Sequence, residues 1–243
     1  MKKRLLGSSE LWTLIKIILI LTLIFGFNDG SENFVFSNWF TNFLFTCLIV
    51  SLIVSFNILG LKLAAKYYGT ELKVKIWNSH KFKTAVTFGK KLLLLYTTPI
   101  LSIIVMLLSN GKIYFSTVMS FSVNEKLFGR KFQNLTYFNI SSIVFFGLLS
   151  NLILMWIFKL LEFDLGLKLS FWFILFSLLP ISELPGTKLL LGSATFYVFN
   201  LVFFILNIVL LYVINSFAAL FVSLVFSVVF ASLFFFFFQY KKA

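Results

Sequence analysis

From Leu189 through Tyr240 the chain carries no Asp, Glu, Lys or Arg. A second uncharged stretch runs from Asn33 to Leu61. A membrane-spanning helix needs about 20 mainly apolar residues, so the first stretch holds two spans and the second holds one. A soluble domain is roughly 45–50% apolar and about 25% charged; here 60% of the residues are hydrophobic and 12% are charged. Mean hydropathy is +1.01. The chain therefore reads as an all-α polytopic membrane protein.

Seven apolar runs can be drawn: Leu11–Phe27, Phe34–Leu61, Leu92–Leu108, Ile140–Phe158, Leu169–Leu179, Phe196–Ile214 and Phe217–Phe238. The charges between them set the orientation. Lys2, Lys3 and Arg4 place the N-terminus inside by the positive-inside rule. No small-x-small cleavage pattern follows the first run, which is read as a retained span. Residues 28–33 hold Asp29 and Glu32 without a basic residue and suit the outside. Residues 62–91 hold eight Lys and suit the inside, as do Lys112, Lys126, Arg130 and Lys131. Both assignments hold only if Leu92–Leu108, with Pro99 in its middle and Asn110-Gly111 after it, enters and leaves on one face. The expectation is six transmembrane helices plus one re-entrant element, in the cell membrane, with both termini cytoplasmic. A seventh true span is the competing layout. Three parts follow: a first transmembrane helix and outer loop (1–33), a membrane core (34–195) and a C-terminal transmembrane hairpin (196–243).

The net charge of +13 sits between apolar runs, so it points to anionic lipid and not to nucleic acid. The lipid bilayer is the partner this composition requires. The single Cys47 lies in an apolar run, makes no intramolecular disulfide, and is uninformative about redox compartment. Two short stretches alternate with period two, as half-buried strands do. In Glu71–Trp77, Leu72, Val74 and Ile76 oppose Glu71, Lys73 and Lys75; in Ile113–Val123, serines at 116, 120 and 122 alternate with apolar residues. They form either a small membrane-surface β-hairpin or sheet, or amphipathic loops.

Two segments resemble a known family. Asn57–Gly69 reads NILGLKLAAKYYG, and Leu178–Ser193 reads LLPISELPGTKLLLGS. Both are similar to motifs of the site-2 protease family of intramembrane zinc metalloproteases, particularly its archaeal-type members, where they run like HELAHKxxAxKYG and NLLPISxLDGxKIxxGS. Phe146–Leu154, FGLLSNLIL, resembles the family's Asn-bearing helix, with Gly147 and Asn151 in place and its Pro missing. The resemblance covers roughly residues 34–195. It retains Gly69, Gly147, Asn151, Pro180, Gly186 and Lys188. It implies a helix broken within the membrane at Pro180, Pro185 and Gly186, an αL cap at Gly69, and Asn57 facing Asn151.

The family's chemistry uses two His one helical turn apart and an Asp to hold zinc, a Glu as general base, and an open fourth position for water. Carried over, the first His corresponds to Asn57, the Glu to Ile58, the second His to Leu61 and the Asp to Pro185. None of these side chains supplies a strong zinc ligand or takes up a proton at neutral pH. The sole His, His80, lies in the Lys-rich stretch, and the nearest carboxylate, Glu183, belongs at the solvated mouth of the broken helix. Zinc is thus the cofactor the family implies and these residues do not provide for. The resemblance implies a non-catalytic pseudoprotease that binds a transmembrane or extended membrane-protein segment, with strand addition beside Val74 as the mode. Two other readings stay open. One is a small multi-pass transporter or channel, against which stand the lack of repeats and of an ionisable residue deep in a span. The other is a metalloprotease relative in membership only. A hydrolase with another nucleophile lacks a base, His80 being the only His.

Overall fold

The computed structural model describes residues 8–28, 35–77, 97–125, 135–181 and 183–240. In chain order the elements are α1 (Ser8–Gly26), α2 (Phe36–Tyr67), β1 (Thr70–Ile76), α3 (Thr97–Leu108), β2 (Met119–Glu125), α4 (Tyr137–Leu160), α5 (Asp164–Ser177), α6 (Pro185–Gly192), α7 (Ala194–Leu211) and α8 (Ser216–Phe234). A π-helical turn, Phe235–Gln239, extends α8. Among the described residues, α1, α2, α4, α7 and α8 are long and apolar enough to cross a membrane. This is a mostly helical, polytopic membrane protein.

The sixth expected span is shorter than expected. The run Leu169–Leu179 folds as α5, which has 14 residues and falls short of the roughly 20 a straight span needs. The chain turns after Leu178, and Pro185, which has no N–H to lose, starts α6 at its first turn. Asp164 lies in the first turn of α5, where a carboxylate meets the helix's unpaired N–H groups. The bend expected at Pro180, Pro185 and Gly186 is thus where the helix breaks.

The α1 helix has 19 residues and is about 28 Å long at 1.5 Å per residue, close to the hydrocarbon thickness of about 30 Å. Glu10 and Asn28 therefore mark its two ends. At the Glu10 end, Lys62 of α2 makes an ion pair of 2.9 Å with Glu10, so α1 and α2 run antiparallel. Contacts of Gly60 with Phe146 and Ser150, and the bond from Ser150 Oγ to the Phe56 carbonyl, make α2 and α4 antiparallel as well. Gly192 packs on Ser141 and the Tyr137 carbonyl, which brings the start of α7 to the same end. The α7–α8 hairpin then returns the chain there. The start of the first span and the end of the last thus lie at the same, Glu10 end of the bundle.

At the C-terminal end of α2, Gly69 takes φ +68°, and its N–H bonds the Lys66 carbonyl. A Cβ there would meet nothing within 4 Å, so the left-handed backbone alone calls for glycine. β1 follows. It pairs antiparallel with β2 in a two-stranded sheet, with Leu72 opposite Val123, Val74 opposite Phe121 and Ile76 opposite Met119. Burial along β1 alternates as expected, with Leu72 and Val74 inward. The second strand begins later than its alternation suggests, because residues 113–118 serve another purpose.

Those residues carry the chain from the far end of α3 back to the sheet. The far end of α3 turns at Asn110 and Gly111, both at positive φ, and the Asn28 amide donates to the Asn110 carbonyl at 3.1 Å. From this point the chain runs back to pair as β2 at the sheet. α3 has 12 residues, and the start of the expected re-entrant run, residues 92–96, lies outside the described residues. One expectation changes. Residues 109–139 do not all sit with the Lys-rich stretch, because Lys112 lies beside Asn28 at the opposite end. The tip of the hairpin carries it there. His80, Lys126, Arg130 and Lys131 lie outside the described residues.

Candidate functional site

The two local motifs and the Asn-bearing helix meet at the break between α5 and α6. Asn57, on α2's buried stripe, donates from Nδ2 to the Gly147 carbonyl of α4 at 3.1 Å. Gly147 allows this approach. A Cβ there would stand 2.7 Å from Leu61 Cγ, so Leu61 packs directly on the glycine. Ile58 is buried beside them. Pro185 comes from the other side. Together with Asn57, Ser116, Thr117 and Ser177 it lines a cavity of about 10 Å³, the space of about one water. Thr117 Oγ1 has no hydrogen-bond partner among the described residues.

Gly186 holds the break closed. A Cβ on it would overlap the Leu178 carbonyl and lie 2.5 Å from the Leu179 oxygen. The first turn of α6 therefore sits against the last carbonyls of α5, a contact only glycine permits. Pro180 is exposed at the bend, and Glu183 is exposed as expected. The Glu183 carbonyl accepts from Ser120 Oγ at 2.8 Å, which fixes the bend to β2.

Asn151 departs from expectation. It does not bond Asn57. It is fully buried on α4, and neither amide atom has a partner among the described residues. The reason is an offset along the helix axis: Asn57 meets α4 at Gly147, one turn before Asn151 on the same face. A buried, unpaired amide costs about 1–3 kcal/mol.

The sheet edges hold a further feature that the sequence did not reveal. Val74 and Phe121 face one another, and one outward backbone group of each is taken by a charged side chain. The Val74 N–H donates to Glu10 Oε1 at 3.3 Å. On the other edge, Lys188 donates to the Phe121 carbonyl and stands 3.6 Å from the Phe121 ring centroid. It also reaches Ser120 Oγ at 3.4 Å. The edge beside Val74, expected to be open for strand addition, is covered by α1. Capping by a carboxylate and an ammonium is one way to keep a sheet edge from pairing. No local pattern betrays Glu10, because its acceptor role depends on a backbone group far along the chain.

Chemically the arrangement offers one carboxamide, hydroxyls and backbone carbonyls around a water-sized space. Among the described residues no group of three or more His, Cys, Asp or Glu could hold a metal. Comparison with protein-family models, characterised proteins and solved structures finds no match.

Proposed function

We propose that this protein is a non-catalytic relative of the site-2 intramembrane proteases that acts as a binder or scaffold for a membrane partner. One observation carries the reading. Asn57 and Pro185 line one small cavity, and Leu61 packs on Gly147 beside them, so residues matched to the family's ligands converge from helices far apart in the chain. Their atoms are an amide, an aliphatic group and a proline ring. Zinc needs three protein ligands from His, Cys or carboxylate with one open position for hydrolysis, and Ile58 offers no base. The partner is a transmembrane or extended segment. With Glu10 on one sheet edge and Lys188 on the other, strand addition requires one of them to move; helix packing on the lipid-facing surface requires neither.

The test is elemental analysis of the untagged, purified protein. Far less than one zinc per chain is expected. Stoichiometric zinc that disappears in His80→Ala would overturn the reading, since it would bring His80 to the membrane motif.

A further inference from the structure

At the end of the bundle opposite the Glu10–Lys62 pair lies a cavity of about 400 Å³. This is well above the water-sized space at Asn57 and within the usual range of small-molecule sites, about 300–1,000 Å³. It opens where α1 ends, between α2, α5 and the tip of the re-entrant hairpin. Asn28, Asn42, Lys112, Tyr114, Lys168 and Trp172 are among the residues that line it, and among the described residues no Asp or Glu does. Lys112 arrives only because the hairpin crosses the bundle and turns at Gly111, where a Cβ would stand 2.7 Å from Asn28. Lys168 extends from α5, with its ammonium 5.3 Å from the Tyr114 ring centroid. Among the described residues neither ammonium meets a carboxylate within ion-pair distance. Tyr114 also packs edge-on to Trp172, with ring centroids 5.9 Å apart.

We infer that this cavity binds a phosphate group held at the membrane surface. The two ammonium groups supply the charge, in the manner of lysine at phosphate sites. Asn28 and Asn42 add neutral polar groups. Trp172 and Tyr114 provide the aromatic wall that headgroup-level sites commonly have. The positive-inside rule gives no reason for lysines from two separate elements to meet at this end; a shared anion does. A lipid headgroup and a soluble phosphate offer the same chemistry.

The experiment uses the full chain in an uncharged detergent. Short-chain phosphatidylglycerol is titrated and retention is read by native mass spectrometry, with and without excess inorganic phosphate. One phosphatidylglycerol per chain is expected, and the double variant Lys112→Gln/Lys168→Gln should lower affinity about tenfold or more. Lys112→Arg/Lys168→Arg keeps both charges and should retain binding, which separates loss of charge from loss of fold. Lys66→Gln/Lys73→Gln makes the same charge change at exposed positions of the opposite end and should leave affinity within about twofold. Retention despite phosphate supports a lipid occupant; competition by phosphate supports a soluble one. Absence of both ligands, or equal losses in the two Gln pairs, would overturn the proposal.

Discussion

The break between α5 and α6 and the α7–α8 hairpin lie in the same membrane but are held together differently. In the hairpin, α8 packs on α7 through a stripe of small residues, Ala219, Ser223, Ser227 and Ala231, each buried one turn after the last. A small-residue stripe of this kind is the ordinary way two membrane helices approach. Asn207 adds a cross-helix polar tie, donating to Ser223 Oγ at 3.0 Å and accepting from Trp156 Nε1 of α4 at 3.1 Å. Most of α8 otherwise faces outward. At the break, by contrast, α2, α4, α6 and β2 converge through backbone carbonyls and through glycines with no space for a Cβ. The Gly147 carbonyl accepts from both Asn57 and Ser150. A bundle that only needed to sit in a bilayer could be built throughout like the hairpin. The closer construction at the break is what a positioned site requires.

The contrast can be broken most forcefully at Gly186. Replacing it with Ala puts a methyl group into the Leu178 carbonyl, and α6 cannot shift without leaving α4. A loss of more than about 3 kcal/mol is expected, read as a collapse of the thermal unfolding midpoint in detergent. A small-to-large change in the hairpin's lipid-facing side, such as Val228→Leu, should change that midpoint little. Equal midpoints for the two variants would remove the distinction between the regions.

Asn207→Leu comes next. It removes both ties of the hairpin at once and leaves the Trp156 indole N–H without its acceptor. A cost of about 0.6–2 kcal/mol is expected, measured as a lower unfolding midpoint. Asn57→Leu should cost less, under about 1 kcal/mol, because Ser150 still serves the Gly147 carbonyl. If Asn57→Leu proves the more damaging, the break relies on a single bond and the redundancy described above is wrong.

The smallest effect carries the most informative sign. Asn151 is buried with both amide atoms unpaired. Asn151→Leu removes two unsatisfied groups at similar volume, so stability should stay level or rise by up to about 1 kcal/mol. A loss comparable to that of Asn207→Leu would mean that Asn151 has a partner, such as a bound water.

Much of this architecture was legible. The spans followed from uncharged stretches, since a bilayer leaves few other readings for them. β1 followed from the alternation of Leu72, Val74 and Ile76 with Lys73 and Lys75. Gly69 and the Pro185-Gly186 break were marked by residues whose backbone demands are strict. What was not legible depends on contacts between distant segments. Residues 113–118 alternate like a strand, yet Ser116, Thr117 and Val118 are all buried, because the return arm passes through the bundle. Lys112 was misplaced for the same reason: charge counting treats a loop as lying on one face and ignores how far a hairpin tip reaches. The pairing of Asn57 with Gly147 instead of Asn151 turns on the register of α2 along α4, which differs by one turn and leaves no trace in composition. The edge caps Glu10 and Lys188 each answer a backbone group on a strand formed elsewhere in the chain.

The central claim is that the positions matched to the family's metal ligands still converge while the ligands are gone. The triple variant Asn57→His, Leu61→His, Pro185→Asp tests it most directly. Residues 57 and 61 lie one turn apart on one helix face, and residue 185 shares the cavity at Asn57. One zinc per folded chain is expected, bound weakly because groups to orient the His rings are lacking, and lost when any one of the three is reverted. A well-folded triple variant that binds no zinc at saturating metal would contradict the claim.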